Sequence, residues 1–415
     1  MARIVIVGGS LGGLLAANML HRAGHNVRVL EKSTTSLDGR GAGIVTHRPL
    51  MTALQRCGVP LDDSLGVVVN QRVVLGLDGS VIAKAQIAQL LTSWSRLYAM
   101  LLSAFDERRY IRGAAVSKVN QSADGVQVEC EDGRTFDADM VVASDGIRST
   151  LRAQLLPAVQ AQYAGYVAWR GVCDEAVLSE RTMSTLFESF GFGLPPGEQL
   201  IGYPVAGANN AIARGQRRYN FVWYRPASEN KELKLLMTDA DGHYFPQGIA
   251  PHKVAWQHIA DVRQAARERL APQFAEILEK TSQPFLQPIY DCTAQRMAFN
   301  RVALMGDAAC VARPHVGMGV TKAAEDAMAL TDCLAAYGAI PEALQAFEKQ
   351  RLAANQAVVQ RGRALGAYLQ GEAGGNNGSE KLSAPTLARD ARSVMLETAF
   401  DLSAPSIIPS VIHNA

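Results

Sequence analysis

The sequence predicts an α/β fold that joins a parallel sheet, an inserted and mainly antiparallel sheet, and C-terminal helices. Three features support this prediction. Residues 3–31 have the pattern of a strand, a glycine-rich turn, a helix and a second strand, which is a βαβ unit of ordinary size. Much of the middle consists of short alternating runs separated by Gly, Pro and Asn, a pattern typical of antiparallel strands. Two long Ala-rich helical stretches, residues 322–337 and 341–369, follow a late buried strand.

Composition and charge narrow the class of protein. With 415 residues the chain exceeds the ~250–300 residues over which one hydrophobic core grows, so we expect two domains. The hydrophobic fraction of 48% and the charged fraction of 19% are those of a globular protein, and they exclude a disordered or fibrous chain. The net charge of +2 offers no basic surface for a nucleic acid.

Cysteine usage and hydropathy bear on the environment of the protein. The six cysteines include no CxxC pair, so we expect neither a metal site nor a disulfide framework, and reduced thiols favour the cytoplasm. No apolar run approaches ~18 residues, and no cleavable signal precedes the first strand, so we expect no membrane segment. The sequence leaves the oligomeric state open, a homodimer included.

The first βαβ unit can be justified element by element. Residues 3–7 are short, β-branched and almost wholly apolar, as a strand buried in a parallel sheet should be. Residues 14–23 are rich in Ala and Leu and are followed by Gly24, which ends the predicted helix. The second strand, residues 27–30, ends at Glu31.

The turn of this unit has the sequence GGSLGG at residues 8–13, a variant of GxGxxG with Ser10 at the second glycine. The first glycine of such a turn makes the bend, the second lets the backbone approach a pyrophosphate, and the third packs helix on strand. The helix N-terminus then offers N–H donors to the phosphates. Glu31 stands where an acid accepts hydrogen bonds from a ribose. An ordinary tight turn is the alternative. However, the strand, the glycine turn, the helix and the second strand with its acid follow one another at the expected spacing, which favours a Rossmann-like dinucleotide site.

Two later motifs extend the predicted site. A strand over residues 138–143 leads to Asp145, and a strand over residues 301–305 leads to Asp307. The chain then reaches the sequence PHVGMG at residues 314–319 and a helix. An acid at a strand end can bind a second chain of hydroxyl groups, and a glycine turn at a helix N-terminus can offer N–H groups to an electron-rich ring. These features indicate a cofactor longer than one nucleotide.

Together the motifs resemble the single-component FAD-dependent aromatic hydroxylases, which have the para-hydroxybenzoate hydroxylase-like fold. The resemblance covers about residues 2–370 and includes RGAGI at residues 40–44. A second set of segments is similar to members that act on dihydroxypyridine-like rings. These segments are AGYVAWRG at residues 164–171, LIGYP at 200–204, NFVWY at 220–224, LMTD at 236–239 and RPH at 313–315.

The resemblance implies a discontinuous Rossmann-like FAD-binding domain that carries an inserted substrate-binding domain. We expect the FAD-binding domain to comprise residues 1–70, 98–165 and 285–370. The mainly antiparallel β-sheet of the substrate-binding domain is expected from residues 71–97 and 166–284. Residues 371–415 are expected to form a linker, flexible and Gly/Asn-rich at residues 372–379, and a C-terminal tail in which the sequence indicates no element. Within the substrate-binding domain the sequence predicts a helical stretch near residues 258–280.

The resemblance also implies roles in FAD binding. The glycine turn and Glu31 would hold the ADP half, Asp307 would bind the ribityl chain, and the backbone of residues 317–320 would approach the flavin ring. Asp145 belongs to a fingerprint proposed for contact with both FAD and NAD(P)H. The candidate cofactor-binding residues are Gly8, Ser10, Leu11, Gly13, Glu31, Lys32, Arg40, Asp145, Asp307, Pro314, Gly317, Met318, Gly319 and Val320.

Four positions depart from the family pattern. Trp94 stands where the family often has an Arg near the pyrophosphate, and Cys310 stands where His is common. Met318 replaces the usual Gln between the two glycines, and Thr321 stands where Asn is usual. We therefore expect altered flavin contacts without loss of FAD.

The activity implied by the resemblance is an FAD-dependent NAD(P)H:O2 monooxygenase that works through a C4a-hydroperoxyflavin. Its partners would be O2 and a small aromatic substrate, either a hydroxylated N-heteroaromatic or a phenolic ring. One alternative is a dehydrogenase or reductase of the same fold that inserts no oxygen. A second alternative, from another class, is a non-catalytic nucleotide-sensing protein, which would carry no flavin.

Four side chains are candidates for the catalytic site, and each also has a structural interpretation. His47 follows the segment that passes the flavin in the family, but it could be an exposed loop histidine. Tyr203 and Tyr224 lie on predicted strands that would cover the substrate, although tyrosines often only pack in a core. His315 follows Pro314 on the loop expected to face the flavin, where it could position substrate or only cap the next helix.

Overall fold

The computed structural model describes residues 1–37, 43–338, 340–369 and 390–400, and these ranges contain eighteen strands and eleven α-helices. In chain order the strands are β1 Arg3–Val7, β2 Asn26–Glu31, β3 Gly43–Val45, β4 Val67–Leu75, β5 Val81–Ser93, β6 Tyr110–Arg112, β7 Val116–Gln121, β8 Val126–Cys130, β9 Thr135–Ala138, β10 Met140–Ala143, β11 Gln162–Asp174, β12 Ser189–Gly193, β13 Gln199–Val205, β14 Arg218–Pro226, β15 Phe285–Thr293, β16 Ala298–Phe299, β17 Val302–Leu304 and β18 Cys310–Val311.

The helices range from single turns to 27 residues in length. In chain order they are α1 Leu11–Arg22, α2 Arg48–Arg56, α3 Trp94–Ser103, α4 Thr150–Leu155, α5 Glu180–Leu186, α6 Lys234–Leu236, α7 Trp256–Arg269, α8 Pro272–Lys280, α9 Gly319–Ala336, α10 Ile340–Gly366 and α11 Ala391–Glu397. Among the residues that the structure describes, no helix combines the length and the apolar character needed to span a bilayer.

The smaller of the two main sheets has the strand order β16-β17-β10-β1-β2-β6. Its strands from β17 to β6 are parallel, and β16 pairs antiparallel with β17. β1 and β10 consist almost entirely of buried apolar residues because both faces of this sheet are covered. The chain turns from β1 to β2 on one side, whereas β10 lies on the other side of β1. The carboxyl ends of β1 and β10 therefore border the switch point where open α/β sheets bind ligands.

The larger sheet has the order β18-β15-β11-β14-β13-β12-β4-β5-β3. Its neighbouring strands are antiparallel, except that β12 and β4 are parallel. Its inner strand β14 is buried on both faces, with Phe221 and Trp223 in one apolar cluster and Val222 and Tyr224 in another. The first cluster is shared with α7 and α8, and the second with residues 390–400, which we call the C-terminal segment. A third, three-stranded sheet has the order β7-β8-β9.

The predicted fold class is confirmed: a parallel sheet, a mainly antiparallel sheet and long C-terminal helices are all present. Two details differ from expectation. The helical stretch expected near residues 258–280 consists of two helices, because Leu270 is extended and Pro272 begins the second. The C-terminal segment contains α11 and packs in the core, although the sequence of the tail gave no sign of it. The predicted flexible linker, residues 372–379, lies outside the described residues.

Candidate cofactor and substrate site

The glycine turn after β1 is packed so closely that larger residues cannot replace its key glycines. Gly8 has a φ of +102°, and a Cβ there would lie 2.3 Å from the carbonyl oxygen of Ser144. A Cβ on Gly13 would lie 1.9 Å from the oxygen of Gly8. The backbone therefore comes close to the crevice at this turn, as a site for a pyrophosphate requires.

Glu31 is tied to this turn by its carboxylate. Its Oε2 accepts a hydrogen bond of 2.8 Å from the amide of Gly9, and its Oε1 accepts one of 2.8 Å from the amide of Ser33. Glu31 is 7% exposed, whereas the next residue, Lys32, is exposed. Each carboxylate oxygen keeps a second lone pair, so Glu31 can also accept from a ligand hydroxyl.

The start of α1 is suited to an anion. Ser10 is its N-cap, yet the Ser10 side chain makes no capping hydrogen bond, and the first turn holds no acidic residue. Leu11, the first helical residue, is buried in the core and fixes the helix against the sheet. The amide groups of the first turn and the positive end of the helix dipole are thus available for a phosphate.

Asp145 lies beside the glycine turn, since a Cβ on Gly8 would be 2.9 Å from its Cα. Its Oδ2 accepts from the amide of Leu151 at 3.3 Å, and its Oδ1 is buried without a hydrogen-bond partner among the described residues. Removal from water raises the pKa of this carboxyl group. An acceptor left unpaired at the crevice is suited to a ligand donor.

The two predicted half-sites meet at the start of α9. Ideal Cβ atoms on Gly12 and Gly306 would lie 3.4 Å and 3.3 Å from the Cβ of Ala323. Asp326 stabilises the Gly306 turn, because its Oδ2 accepts a hydrogen bond of 3.0 Å from the amide of Gly306. Arg351 in turn donates to Oδ1 of Asp326 at 2.8 Å, so a buried ion pair fixes the turn.

Asp307 faces the crevice and has a cationic neighbour. About half of its side chain, 51%, is exposed, and its Oδ1 lies 3.9 Å from Nζ of Lys322. Lys322 itself is fully buried, and its Nζ has no hydrogen-bond partner within the described part of the chain. An ammonium group buried in this way is costly unless a further acceptor is supplied, and a bound anion or hydroxyl chain would supply one.

The expected ring-facing turn is built from Pro314, His315 and Val316 in one 3-10 turn, followed by Gly317 in the left-handed region at φ +66°. Met318 is the N-cap of α9 and is buried, while Gly319 is exposed and Val320 is half-buried. The first turn of α9 contains no acidic residue. Backbone amides at this helix start can therefore face an electron-rich ring edge.

His47 lies next to this turn, not on an exposed loop. It is 3% exposed, its Nδ1 is 3.0 Å from the hydroxyl oxygen of Thr321, and its Nε2 is 3.4 Å from the carbonyl oxygen of Ala399. A Cβ on Gly317 would be 3.7 Å from Cε1 of His47. Thr321, one of the departures from the family pattern, thus orients the His47 ring.

Tyr203 and Tyr224 are buried in the cluster on one face of the larger sheet. A Cβ on Gly43 would be 2.7 Å from the Tyr203 hydroxyl oxygen, so β3 passes directly over this side chain. The hydroxyl of Tyr224 has no hydrogen-bond partner among the described residues. Burial raises the pKa of both phenols, so both stay protonated at neutral pH.

His315 is fully buried and both of its ring nitrogens are engaged. Nδ1 lies 2.7 Å from Oε1 of Gln199, and Nε2 lies 2.9 Å from the hydroxyl of Tyr166. Its ring also packs on Tyr224, with a centroid separation of 4.1 Å. Burial, with a smaller contribution from the Arg313 charge, lowers the pKa of His315 to about 3. This environment makes His315 a neutral link between the turn and the larger sheet.

The structure therefore brings most of the sequence-predicted residues to one crevice. The glycine turn, Glu31 and Asp145 lie at the ends of β1, β2 and β10, and Asp307 is joined to them through Ala323. His47 adjoins Gly317, while Tyr224 adjoins His315. Lys32 points to solvent. Arg40 lies outside the described residues.

Several residues of the site were missed by sequence reasoning. Asn220 is buried beside Tyr203 on the neighbouring strand; its Oδ1 accepts from the amide of Gly43 at 3.1 Å, and its Nδ2 has no partner among the described residues. Asn220 stood inside the quoted NFVWY segment, as a polar residue in an apolar strand. The sequence signal for Lys322 was a single basic residue among the small and apolar residues at the start of α9.

An extended, anion-bearing cofactor fits these observations. The crevice offers two helix N-termini without acidic residues. It also offers an acceptor on Asp145 and a buried ammonium on Lys322 that have no hydrogen-bond partner among the described residues. The two half-sites are in contact through Ala323, so one ligand can reach both.

Comparison with known families gives the identity of this cofactor. The FAD binding domain family matches residues 1–72 and 243–362, and a family described as FAD binding domain-like matches residues 163–291. These matches cover the glycine turn, the Gly306 turn and the start of α9.

Individual proteins give the same result over nearly the whole chain. A 2,6-dihydroxypyridine 3-monooxygenase of Paenarthrobacter nicotinovorans is 32% identical over 373 residues, which is 89% of this chain and 91% of the relative. A 6-hydroxynicotinate 3-monooxygenase of Pseudomonas fluorescens is 24% identical over 81% of this chain and 83% of its own. The solved structure of 2,6-dihydroxypyridine-3-hydroxylase from Arthrobacter nicotinovorans superposes with a TM-score of 0.84, covering 93% of this chain and 95% of that one at 32% identity.

These similarities extend through both main sheets, and the crevice geometry is consistent with them. FAD is the cofactor and NAD(P)H the co-substrate. The chain therefore belongs to the FAD-dependent aromatic-ring monooxygenases.

Proposed function

We propose that this monooxygenase hydroxylates a small hydroxylated N-heteroaromatic ring of the dihydroxypyridine type, or a phenolic ring of similar size. The observation that carries the proposal is the 32% identity to a 2,6-dihydroxypyridine 3-monooxygenase over 89% of the chain. The quoted segments at residues 164–171, 200–204 and 220–224 lie on β11, β13 and β14, which are adjacent strands of the larger sheet. The similarity thus includes the surface that we assign to the substrate.

We assign the cofactor contacts as follows. The glycine turn, with Ser10 and the start of α1, would hold the pyrophosphate, and Glu31 would hold a ribose. Asp145 and Asp307 would bind further polar groups of the cofactor, with Lys322 beside Asp307. The backbone of residues 317–320 would border the flavin ring. When bound, FAD supplies the redox chemistry, because it can accept electrons from NAD(P)H and activate O2.

The substrate would lie between this turn and the larger sheet, where the chain offers both donors and acceptors. Because the phenols of Tyr203 and Tyr224 remain protonated, they act as hydrogen-bond donors and not as bases. The Nε2 of His47 faces the carbonyl oxygen of Ala399 and so donates to it, which leaves Nδ1, 3.0 Å from the Thr321 hydroxyl, as the accepting nitrogen. His47 is therefore the candidate to take a proton from a ring hydroxyl by way of Thr321, and loss of that proton makes the ring more electron-rich. The buried Nδ2 of Asn220 is a further donor that has no partner among the described residues.

We assign His315 a structural role at the site, in which it positions the ring-facing turn and transfers no proton. Its lowered pKa keeps it neutral, and its bonds to Gln199 and Tyr166 attach the ring-facing turn to β13 and β11. Together with Tyr224 it forms a dry boundary, and excluding water protects the activated oxygen from side reactions.

The test is a screen of hydroxypyridines and hydroxybenzoates for stimulation of NAD(P)H oxidation, followed by mass analysis of the product formed under 18-O2. A hydroxypyridine that accelerates flavin reduction and gains one labelled oxygen supports the proposal. Stimulation without label would indicate a dehydrogenase of the same fold. No stimulation by any member of either class would overturn the substrate assignment.

We further infer the broader organisation of the enzyme. The free state of all six cysteines is consistent with a cytoplasmic location. Leu77, Val81 and Ile82 expose apolar side chains around one hairpin turn, a feature found at subunit contacts, and this favours a homodimer. Light scattering of the holoenzyme tests the dimer. The domain division given above remains our proposal, with residues 71–97 and 166–284 binding the substrate.

A further inference from the structure

The C-terminal segment packs against the larger sheet on the face that we assign to the substrate. Its helix α11 buries Val394 and Met395, and the following Thr398 and Ala399 are 1% and 2% exposed. Met395 and Ala399 belong to the same apolar cluster as Tyr203 and Tyr224. This part of the tail is therefore core, and it lies beside the candidate ring-binding tyrosines.

A buried arginine on β4 anchors the segment. Arg72 is 1% exposed; its Nη1 donates to the carbonyl oxygens of Met395 and Thr398 at 2.7 Å each, and its Nη2 donates to that of Ala399 at 3.2 Å. These carbonyls lie at the C-terminal end of α11, which carries the negative end of the helix dipole. No carboxylate in the described part of the chain forms an ion pair with Arg72. The three carbonyl groups of the segment, together with Oε1 of Gln89 at 2.9 Å from Nη2, thus supply the negative charge density that this guanidinium needs.

A second set of bonds attaches the segment to the ring-facing turn. The amide of Ala399 donates to the carbonyl oxygen of His315 at 2.9 Å. The Gln199 amide, which contacts Nδ1 of His315 through its oxygen, donates through Nε2 to the hydroxyl of Thr398 at 3.2 Å. The segment, the turn and β13 are therefore held in one hydrogen-bonded unit.

The contact with the turn is close. A Cβ on Gly317 would lie 2.6 Å from the Cβ of Ala399, so the Ala399 methyl occupies the space that any side chain at 317 would need. The carbonyl oxygen of Ala399 also lies 3.4 Å from Nε2 of His47. Ala399 thus contacts both the ring-facing turn and the candidate base.

We propose that the C-terminal segment is a wall of the substrate cavity, that Ala399 limits the space beside the ring-facing turn, and that Arg72 is the positioning residue that holds the wall in place. With the wall absent, the site would admit water, and electrons from NAD(P)H would go to H2O2 instead of product. The proposal deepens the proposed function and rests on it for the identity of the ring, but not for the wall itself.

Two shortened chains test the wall. One ends at residue 389 and lacks the segment, and the matched control ends at residue 400 and lacks only the residues beyond it. In the FAD-loaded proteins without substrate, we expect quenching of flavin fluorescence by iodide to be at least threefold stronger for the chain ending at 389. The control should match the full-length enzyme. Equal quenching in the two shortened chains, both with full FAD content, would overturn the proposal.

Arg72 provides a second test that leaves the chain length unchanged. In Arg72→Met the segment loses its three guanidinium bonds, so we expect hydrogen exchange of residues 390–400 to accelerate at least tenfold. The fraction of NAD(P)H oxidation coupled to product should fall at least threefold. Arg72→Lys keeps a cation on β4, so it should restore part of the protection from hydrogen exchange and part of the coupling. Unchanged exchange and coupling in Arg72→Met would show that Arg72 positions nothing.

These experiments separate the wall from the substrate assignment. Iodide quenching and hydrogen exchange require only bound FAD and the folded chain. If the full-length enzyme hydroxylated no ring in the screen, the proposed function would fail. The quenching comparison would still show whether the C-terminal segment is a wall of the cavity. If the screen succeeded and quenching did not change, the wall alone would fail.

Discussion

The hydroxyl group of Tyr166 lies 2.9 Å from Nε2 of His315, and Oε1 of Gln199 lies 2.7 Å from Nδ1 of the same ring. An amide oxygen only accepts, so with this orientation Nδ1 carries the proton and Nε2 accepts from Tyr166. The imidazole is thereby neutral and satisfied on both sides. His315 thus joins the ring-facing turn to β11 and β13.

The first prediction concerns acid stability. The pKa of His315 is lowered to about 3 in the folded enzyme, whereas an unfolded histidine titrates near 6.5. Its burial therefore contributes stability above pH 6.5 that is lost as the pH falls toward 3. Between pH 7 and 5 the wild type should lose about 2 kcal/mol more unfolding free energy than His315→Gln, which keeps a donor and an acceptor but does not titrate. Urea unfolding at the two pH values measures this difference, and equal losses would show that His315 is protonated in the fold.

The second prediction concerns Glu31. Glu31→Gln replaces one of the oxygens that accept from Gly9 and Ser33 with a donor, so the turn should lose one hydrogen bond and one ribose acceptor. We expect FAD affinity to fall about tenfold or more, which corresponds to about 1.4 kcal/mol. Flavin fluorescence titration of the FAD-depleted protein measures it. Asp124→Asn, an exposed carboxylate far along the chain, is the control and should leave FAD affinity unchanged.

The third prediction separates cofactor binding from stability. Lys322 is fully buried, and its ammonium group makes no hydrogen bond to the described residues, among which Asp307 is its one ionic neighbour, at 3.9 Å. Lys322→Met removes a buried charge, so the FAD-free protein should be as stable as wild type or more stable. If the ammonium contacts FAD, affinity for FAD should fall at least tenfold in the same variant. Thermal unfolding without FAD and FAD titration give the two values, and a less stable protein with unchanged affinity would refute this role.

The sequence was sufficient to predict which candidate residues lie together where their placement depends on local spacing. GGSLGG, Glu31, Asp145 and Asp307 each follow a strand whose pattern is visible, and parallel strands bring such residues to one edge. The environment of His315 could not be read in this way, because Tyr166 and Gln199 lie 149 and 116 positions away along the chain. The same holds for the C-terminal segment: nothing local to Ala399 shows that Arg72, 327 positions earlier, binds its carbonyl group.

The fourth prediction concerns the catalytic candidates. Tyr224 has a buried hydroxyl without a hydrogen-bond partner in the described residues, so Tyr224→Phe should leave the unfolding free energy unchanged or slightly raised. His47→Gln keeps an amide that can bond to Thr321 but removes a group able to accept a proton at neutral pH. If these side chains meet the substrate, both variants should retain full FAD and lose several-fold in product formed per NAD(P)H. The His47→Gln loss should diminish for ring substrates that are already ionised at the assay pH, because they need no base. Product and H2O2 measured side by side give the coupling ratio, and a wild-type ratio in both variants would remove both residues from the chemistry.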